Sequence, residues 1–216
     1  MRLQPLADMR RAYEGDRLDD DALSVGWLPQ FERWLQDAVD AGVPEPNAMV
    51  LATADAHGRP SARTVLLKDV GDDGLVFFTN GHSRKATQLA TNPQASVLFP
   101  WIGLQRQVEA SGAVEPVAQD ASDAYFASRP RGSQLGAAAS SQSAVIADRS
   151  VLERARDELE DRYPTGTPVP RPAHWGGLRL VPDQVEFWQG RPDRLHDRLR
   201  FRRTSDGSWV RERLAP

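Results

Sequence analysis

The sequence predicts a mainly β chain with peripheral helices (α+β), its strands wound into a closed or nearly closed antiparallel barrel. Three observations predict it. Short apolar runs recur between turns rich in Gly, Asp and Pro, as at residues 49–54, 61–68 and 75–78, the pattern of hairpins rather than of long crossovers. Helical periodicity over about residues 119–163 is flanked on both sides by strand-like runs, which argues for helices inserted into one antiparallel sheet. No GxGxxG follows a strand, so a Rossmann dinucleotide site has no support.

Taken in order, residues 1–24 are polar and charged, with Arg10, Arg11, Glu14, Asp16, Arg17 and an acidic run at 19–21. They read as a mobile arm that is ordered only where it packs on something. Residues 25–216 read as a single domain. Apolar positions 27, 28, 31, 34, 35, 38 and 39 repeat at helical spacing, and Gly42 and Pro44 end that helix. A strand over 49–54 and a turn through His57, Gly58 and Pro60 lead into the stretch 63–85. There, two apolar runs bracket a Gly/Asp turn and predict a β-hairpin over 61–78. Ser83 is placed to cap a helix that Pro93 stops. Strands follow at 95–101 and 107–117, then helices around 121–126, 133–139 and 151–163. A Pro-rich stretch at 165–172 reads as an extended crossing. The end returns to strands at 177–181, 184–188, 199–203 and 209–214, with Asp206-Gly207 as the last hairpin turn.

At 216 residues the chain can bury a substantial core. Its net charge of -3 gives no drive toward nucleic acid or an anionic membrane surface. There is no cysteine, hence no disulfide, thiol nucleophile or Cys metal site. The four His (57, 82, 174, 196) lack metal-ligand spacing, so no metal is expected. The N-terminus has no apolar core of a signal peptide and no run reaches membrane-spanning length, which makes a cytoplasmic protein the default.

The candidate chemistry lies in basic groups beside turns. Of the 27 basic residues only two are Lys, at 68 and 85, and both fall in the stretch 63–85 with Arg63 and Arg84. A helix start carrying Ser, Arg and Lys suits a phosphate, although solvated lysines beside turns are common. Tyr125, Arg129 and Ser133 surround a helix break with phosphate-binding groups, in a chain where exposed Arg is also usual. Gln107, Gln142 and Ser143 could orient a heterocycle's edge or merely face water and cap helices. Near Trp188, the residues Arg194, His196 and Arg198 share a parity. In an extended segment they would project to one side and suit a flat anionic aromatic ligand.

The motifs FERWL (31–35), RTVLLK (63–68), FFTN (77–80), SRK (83–85), LFPW (98–101), RQV (106–108), SRPR (128–131), SQLGA (133–137), WGG (175–177), VEFWQG (185–190), RLHDR (194–198) and RLAP (213–216) are collinear. In that order the chain resembles the pyridoxine/pyridoxamine 5'-phosphate oxidase family, a match running from about residue 31 to 216. The resemblance implies an FMN-binding split β-barrel, dimeric, with FMN at the subunit interface. It implies flavin contacts from Arg63, Thr64, Val65, Leu66, Leu67, Lys68, Phe78, Thr79, Arg84, Lys85, Gln107, Gln142, Ser143, Trp188 and Arg198. It implies substrate contacts from Arg10, Arg11, Ala12 and Tyr13 of the arm, and from Lys68, Tyr125, Arg129, Ser133, Arg194, Leu195 and His196, with Arg194 and His196 at the reacting ring. The activity implied is oxidation of pyridoxine 5'-phosphate or pyridoxamine 5'-phosphate to pyridoxal 5'-phosphate, with O2 as acceptor and H2O2 released. Another split-barrel flavin reductase, or a non-catalytic carrier of FMN or pyridoxal phosphate, are the alternatives. Either would leave SRPR and RLHDR without a use or bind without consuming oxygen.

Overall fold

A computed structural model describes residues 9, 12–15, 17, 18, 24 and 26–216. Most of the expected arm, including Arg10 and Arg11, lies outside the described residues. The chain runs α1 (Trp27–Asp40), β1 (Ala48–Ala54), β2 (Pro60–Leu66), β3 (Asp69–Gly71), β4 (Gly74–Asn80), α2 (Arg84–Thr91), β5 (Gln94–Trp101), β6 (Arg106–Pro116), α3 (Gln119–Ser128), α4 (Arg131–Ala139), α5 (Ser150–Arg162), β7 (Trp175–Gln189), β8 (Asp197–Arg203) and β9 (Trp209–Leu214). The strands form one nine-stranded sheet in the order β2-β1-β5-β6-β7-β4-β3, with β8 on β7 and β9 on β8. The pairings β3–β4, β4–β7, β7–β8 and β8–β9 are antiparallel. The mainly β architecture with a helical insertion is the one expected.

Three local expectations are corrected. The hairpin over 61–78 is tighter than its apolar pattern suggests: β2 ends at Leu66 and neighbours β1. The arm that pairs with β4 is the three-residue β3, in the register Gly71↔Gly74. The Lys68 amide ties the first run to β4, donating to the Val76 carbonyl at 2.8 Å. The runs 177–181 and 184–188 are one strand, β7. Pro182 does not break it, because it falls between the ladder to β4, which reaches Leu180, and the ladder to β8, which begins at Gln184. Finally, residues 192–194 form a tight turn with left-handed φ at Asp193 and Arg194 rather than an extended segment, so the shared parity of Arg194, His196 and Arg198 does not describe them.

The chain divides into two compact units. The first comprises Met1–Met49, Val97–Ala110 and Asp183–Pro216, and the second Val50–Ser96 and Ser111–Pro182. In the first, α1 buries Trp27, Phe31, Trp34 and Ala38, the stripe its sequence spacing prescribes. Phe31 meets Phe99 edge-on at 4.9 Å, and Trp34 meets Phe187 at 5.3 Å, geometries that add to simple area burial. The Arg106 guanidinium lies 4.6 Å from the centre of the Trp34 ring and pairs with Asp37 at 2.6 Å. In the second unit, Phe126, Leu135, Val169 and Trp175 form a core under α3 and α4. By contrast, α5 buries no residue and is braced by the i,i+4 pairs Arg149–Glu153 and Arg156–Glu160.

The turn into β4 has one sterically closed position. Gly74 has φ of +130°, and a Cβ there would sit 2.1 Å from the Leu180 carbonyl oxygen. Gly207 also has positive φ, +85°, but nothing within 4 Å. Gly207→Ala should cost about 1 kcal/mol. Gly74→Ala should cost at least twice that, because the β4–β7 ladder must also shift. Urea unfolding of the two variants checks the order.

Candidate active site

A hollow in the second unit has a volume of about 670 Å³, within the range of small-molecule sites. Three walls build it. The edge strand β2 and the residues after it supply Arg63, Thr64, Val65, Leu66 and Lys68. The end of β4 and the start of α2 supply Phe78, Thr79, Asn80 and Lys85. The helical insertion supplies Tyr125, Arg129, Ser133, Gly136, Ala137, Ser140 and Gln142, and β7 adds Trp175. Among the described residues, four cations line this cavity and no carboxylate does.

Arg63 and Lys85 are held by neutral groups. Arg63 donates to the Leu51 carbonyl at 3.0 Å, to Thr53 Oγ1 at 2.7 Å and to Ser61 Oγ. Thr53 and Ser61 in turn both donate to Gln88 Oε1, at 2.6 and 2.7 Å. Lys85 donates to Thr79 Oγ1 at 2.9 Å and to Gln142 Oε1 at 2.8 Å. Ser83 caps α2, accepting from the Ala86 amide as the sequence predicts. Arg129 lies over the Trp175 ring at 4.8 Å, and its buried Nη1 has no hydrogen-bond partner. Burial pushes the Lys85 ammonium below its usual range, with the nearby Arg63 charge adding to the effect. Burial likewise lowers Arg63, helped by Arg84, and lowers Arg129, with Tyr125 opposing. Under-solvated cations with no counter-charge are a site for an anion.

The floor is aromatic. Phe78 stacks on Tyr125 at 4.0 Å and on Trp175 at 5.3 Å, with interplanar angles of 20° and 11°. Such flat faces suit a planar ring, while the cations suit its phosphate.

A second cluster forms within the first unit. Trp188 and His196 lie 4.7 Å apart, and Tyr13 meets both edge-on, at 5.8 and 5.5 Å. His196 Nδ1 accepts from the Arg191 amide at 3.0 Å, so in the neutral ring the proton sits on Nε2. Arg194 and Leu195 are exposed beside it, and Gln107 is half-buried on β6. Arg198 is engaged by Glu186 through two bonds of 2.7 and 2.9 Å, which raise its pKa.

Of the expected residues in the second unit, the structure brings Arg63, Thr64, Val65, Leu66, Lys68, Phe78, Thr79, Lys85, Tyr125, Arg129, Ser133 and Gln142 to one cavity. Leu67 is not among its lining; it is 5% exposed and belongs to the core. Arg84 and Ser143 line a different hollow with Asp55, His57 and His82, and Ser143 Oγ accepts from the Arg84 amide at 3.1 Å. Ala12 and Tyr13 are exposed. Sequence reasoning passed over Asn80, Ser140 and Trp175 as lining residues, although FFTN and WGG were noted as motifs. It also passed over Thr53 and Gln88, buried polar residues whose partners are remote in sequence.

Two family models match the chain. One, described as pyridoxamine 5'-phosphate oxidase, covers residues 35–163, and one described as the pyridoxine 5'-phosphate oxidase C-terminal dimerisation region covers residues 175–216. A pyridoxine/pyridoxamine 5'-phosphate oxidase of Salinispora arenicola is 57% identical over 213 residues, 98% of this chain and 96% of the relative. One of Cupriavidus pinatubonensis is 54% identical over 211 residues, 98% of this chain and 99% of the relative. Among solved structures, PhzG from Burkholderia lata, in complex with tetrahydrophenazine-1-carboxylic acid, aligns with a TM-score of 0.88 and 32% identity over 95% of this chain and all of that one. A pyridoxamine 5'-phosphate oxidase-related, FMN-binding protein from Nostoc punctiforme aligns with a TM-score of 0.71 over 90% of this chain and all of that one, at 20% identity. The fold is the split barrel expected from the sequence.

The lowered Lys85 gives the cavity a pH signature. An anion favours the ammonium form, so binding takes up a proton where Lys85 is already partly neutral. Affinity for a phosphate monoester should be level on the acid side of that lowered pKa and fall as pH rises through it. Lys85→Arg should carry binding to higher pH. Calorimetric titration from pH 7.5 to 10.5 measures both.

Proposed function

The chain belongs to the pyridoxamine 5'-phosphate oxidase family, and from that membership we propose that it oxidises pyridoxine 5'-phosphate or pyridoxamine 5'-phosphate to pyridoxal 5'-phosphate with FMN as cofactor and O2 as acceptor. The observation that carries this reading is the cavity with four cations and, among the described residues, no carboxylate, lined by stacked aromatic faces. It suits two phosphorylated planar molecules, a cofactor and a substrate. The orphaned Arg129 Nη1 is the clearest mark of a missing anionic partner, because a buried guanidinium nitrogen left unbonded is costly.

In this reading, Arg63, Lys85 and Gln142 hold the FMN phosphate and ribityl end, and Arg84 and Ser143 close on it from the α2 side. Thr64, Val65, Leu66, Leu67, Lys68, Phe78 and Thr79 make up the rest of its cradle, through backbone or side chain. Gln107, Trp188 and Arg198 complete the cofactor site in a homodimer that holds FMN at the subunit interface, in keeping with the match of residues 175–216 to a dimerisation region. Lys68, Tyr125, Arg129 and Ser133 take the substrate phosphate. Bound FMN supplies a two-electron acceptor for the hydride that leaves the substrate's C4' carbon, and its electrons pass on to O2 to give H2O2.

What the protein contributes is position. The remote phosphate grip fixes the substrate's C4' carbon, so binding energy is used for orientation. Arg194 and His196 lie against the pyridine ring, with Leu195 beside them and Ala12 and Tyr13 of the arm over the same ring. His196 offers Nε2–H as a donor and Arg194 an obligate cation, so the ring's oxygen and nitrogen are oriented without an acid–base pair. The alcohol gives the aldehyde directly. The amine gives an imine, which water hydrolyses with release of NH3.

The purified protein should show a bound-flavin spectrum and take up oxygen with pyridoxamine 5'-phosphate. Failure to bind added FMN would remove the assignment. Flavin binding without oxygen uptake would leave a reductase or a carrier. Arg194→Ala should keep FMN and lose on the order of a hundredfold in kcat/KM, and unchanged kcat/KM would remove Arg194 from the site.

A further inference from the structure

The loop joining β7 to β8 is strained. Asp193 and Arg194 are consecutive non-glycine residues with left-handed φ, 56° and 63°, a conformation that persists only where the surroundings hold it. Inside the loop there is little to do so. The Leu195 amide reaches the Pro192 carbonyl at 3.1 Å, and the Arg191 amide reaches His196.

The further support comes from near the N-terminus. Gln105 Oε1 accepts from the Glu14 and Gly15 amides at 2.8 and 3.1 Å, and its own carbonyl accepts from the Gly190 amide at 2.7 Å. Asp197 Oδ2 accepts from the Leu18 amide at 3.2 Å. Arg213 bridges Asp197 Oδ1 at 2.9 Å and the Leu18 carbonyl at 3.0 Å. Arg191 donates to the Gly15 carbonyl and lies 3.6 Å from Asp197 Oδ2. Leu18 is 5% exposed. The approach is close: a Cβ on Gly15 would stand 2.3 Å from Gln189 Nε2 and 2.5 Å from the Gly190 carbonyl oxygen.

We propose that Asp197 is a positioning residue, clasping the segment that holds Tyr13, Glu14, Gly15 and Leu18 onto the β7–β8 loop and so fixing Arg194 and His196 for the substrate. This rests on the reading above that those two residues meet the substrate's ring. Asp197 is the node because one carboxylate takes the segment's amide and faces two guanidiniums, each of which also grips a segment carbonyl. Without it both arginines lose this carboxylate and the segment loses an anchor. The docked segment also sets Tyr13 edge-on to His196, fencing the ring whose Nδ1 is already occupied. Gly15 allows the approach but touches no ligand.

The test uses FMN-loaded protein and two variants, Asp197→Ala and Gly15→Ala. The second removes no polar group and lies outside both the core and the proposed ligand contacts. Both should raise KM for pyridoxamine 5'-phosphate about tenfold, the worth of one or two lost hydrogen bonds, and leave FMN affinity unchanged. Both should speed tryptic cleavage after Arg17, and shift the ¹⁵N signals of His196 from the Nε2–H tautomer toward a mixture. Wild-type KM in a variant whose segment is cleaved faster would overturn the proposal. So would FMN affinity and melting temperature falling in step with KM, which would mark a general packing defect, or cleavage and His196 signals unchanged in both variants. If the unsubstituted protein shows no turnover, the substrate reading fails by itself, and the clasp is still decided by cleavage and the His196 signals.

Discussion

Positive charge without a counter-ion is the constraint around which the second unit is arranged. Arg63, Lys85 and Arg129 are all lowered in pKa, burial being the first cause for each, and among the described residues no carboxylate lines their cavity. A structural ion pair would have quenched those charges. Instead, a carbonyl, hydroxyls and a side-chain amide hold Arg63 and Lys85 in place. Neutral acceptors orient a cation without cancelling its field, so the charge stays available to a ligand.

The same logic explains why polar residues are buried here. Thr53 is 3% and Gln88 5% exposed, and they tie β1 and β2 to α2 through the Arg63 network. Gln88 accepts twice, and Thr53 both accepts and donates, so the network uses their capacity economically. Fully satisfied networks of this kind specify one arrangement. The register of β4 on β7, with Phe78 opposite Gly177, then sets the aromatic floor beside the charges. In the first unit a carboxylate does the opposite work. Asp197 neutralises guanidiniums and, with them, gathers separate backbone segments.

Much of the fold was legible because its signals are local. The stripe at Phe31, Trp34 and Ala38 predicts α1, Ser83 predicts the start of α2, and Asp206-Gly207 predicts the last turn. What misled were patterns with two physical solutions. The run 61–68 is apolar enough for a hairpin arm, yet β2 neighbours β1 because pairing partners are chosen across the sheet, not by the nearest turn. A proline in β7 reads as a break unless the ladders on either side are known to stop short of it. For the site, the residue types around Arg63, Lys68, Lys85, Tyr125 and Arg129 pointed to phosphate, and collinear motifs pointed to the family.

By itself, then, the sequence determined most of the elements and the family, because spacing, capping and motif order are properties of neighbouring residues. Only the tertiary structure decided that Arg63, Lys85 and Arg129 share one cavity free of carboxylates, and that Leu67 turns into the core. It also decided that Arg194 sits in a left-handed turn. These depend on groups far apart in the chain, such as Leu18 and Asp197, whose hydrogen bond spans 179 residues. No local pattern encodes a contact that exists only once the chain has folded.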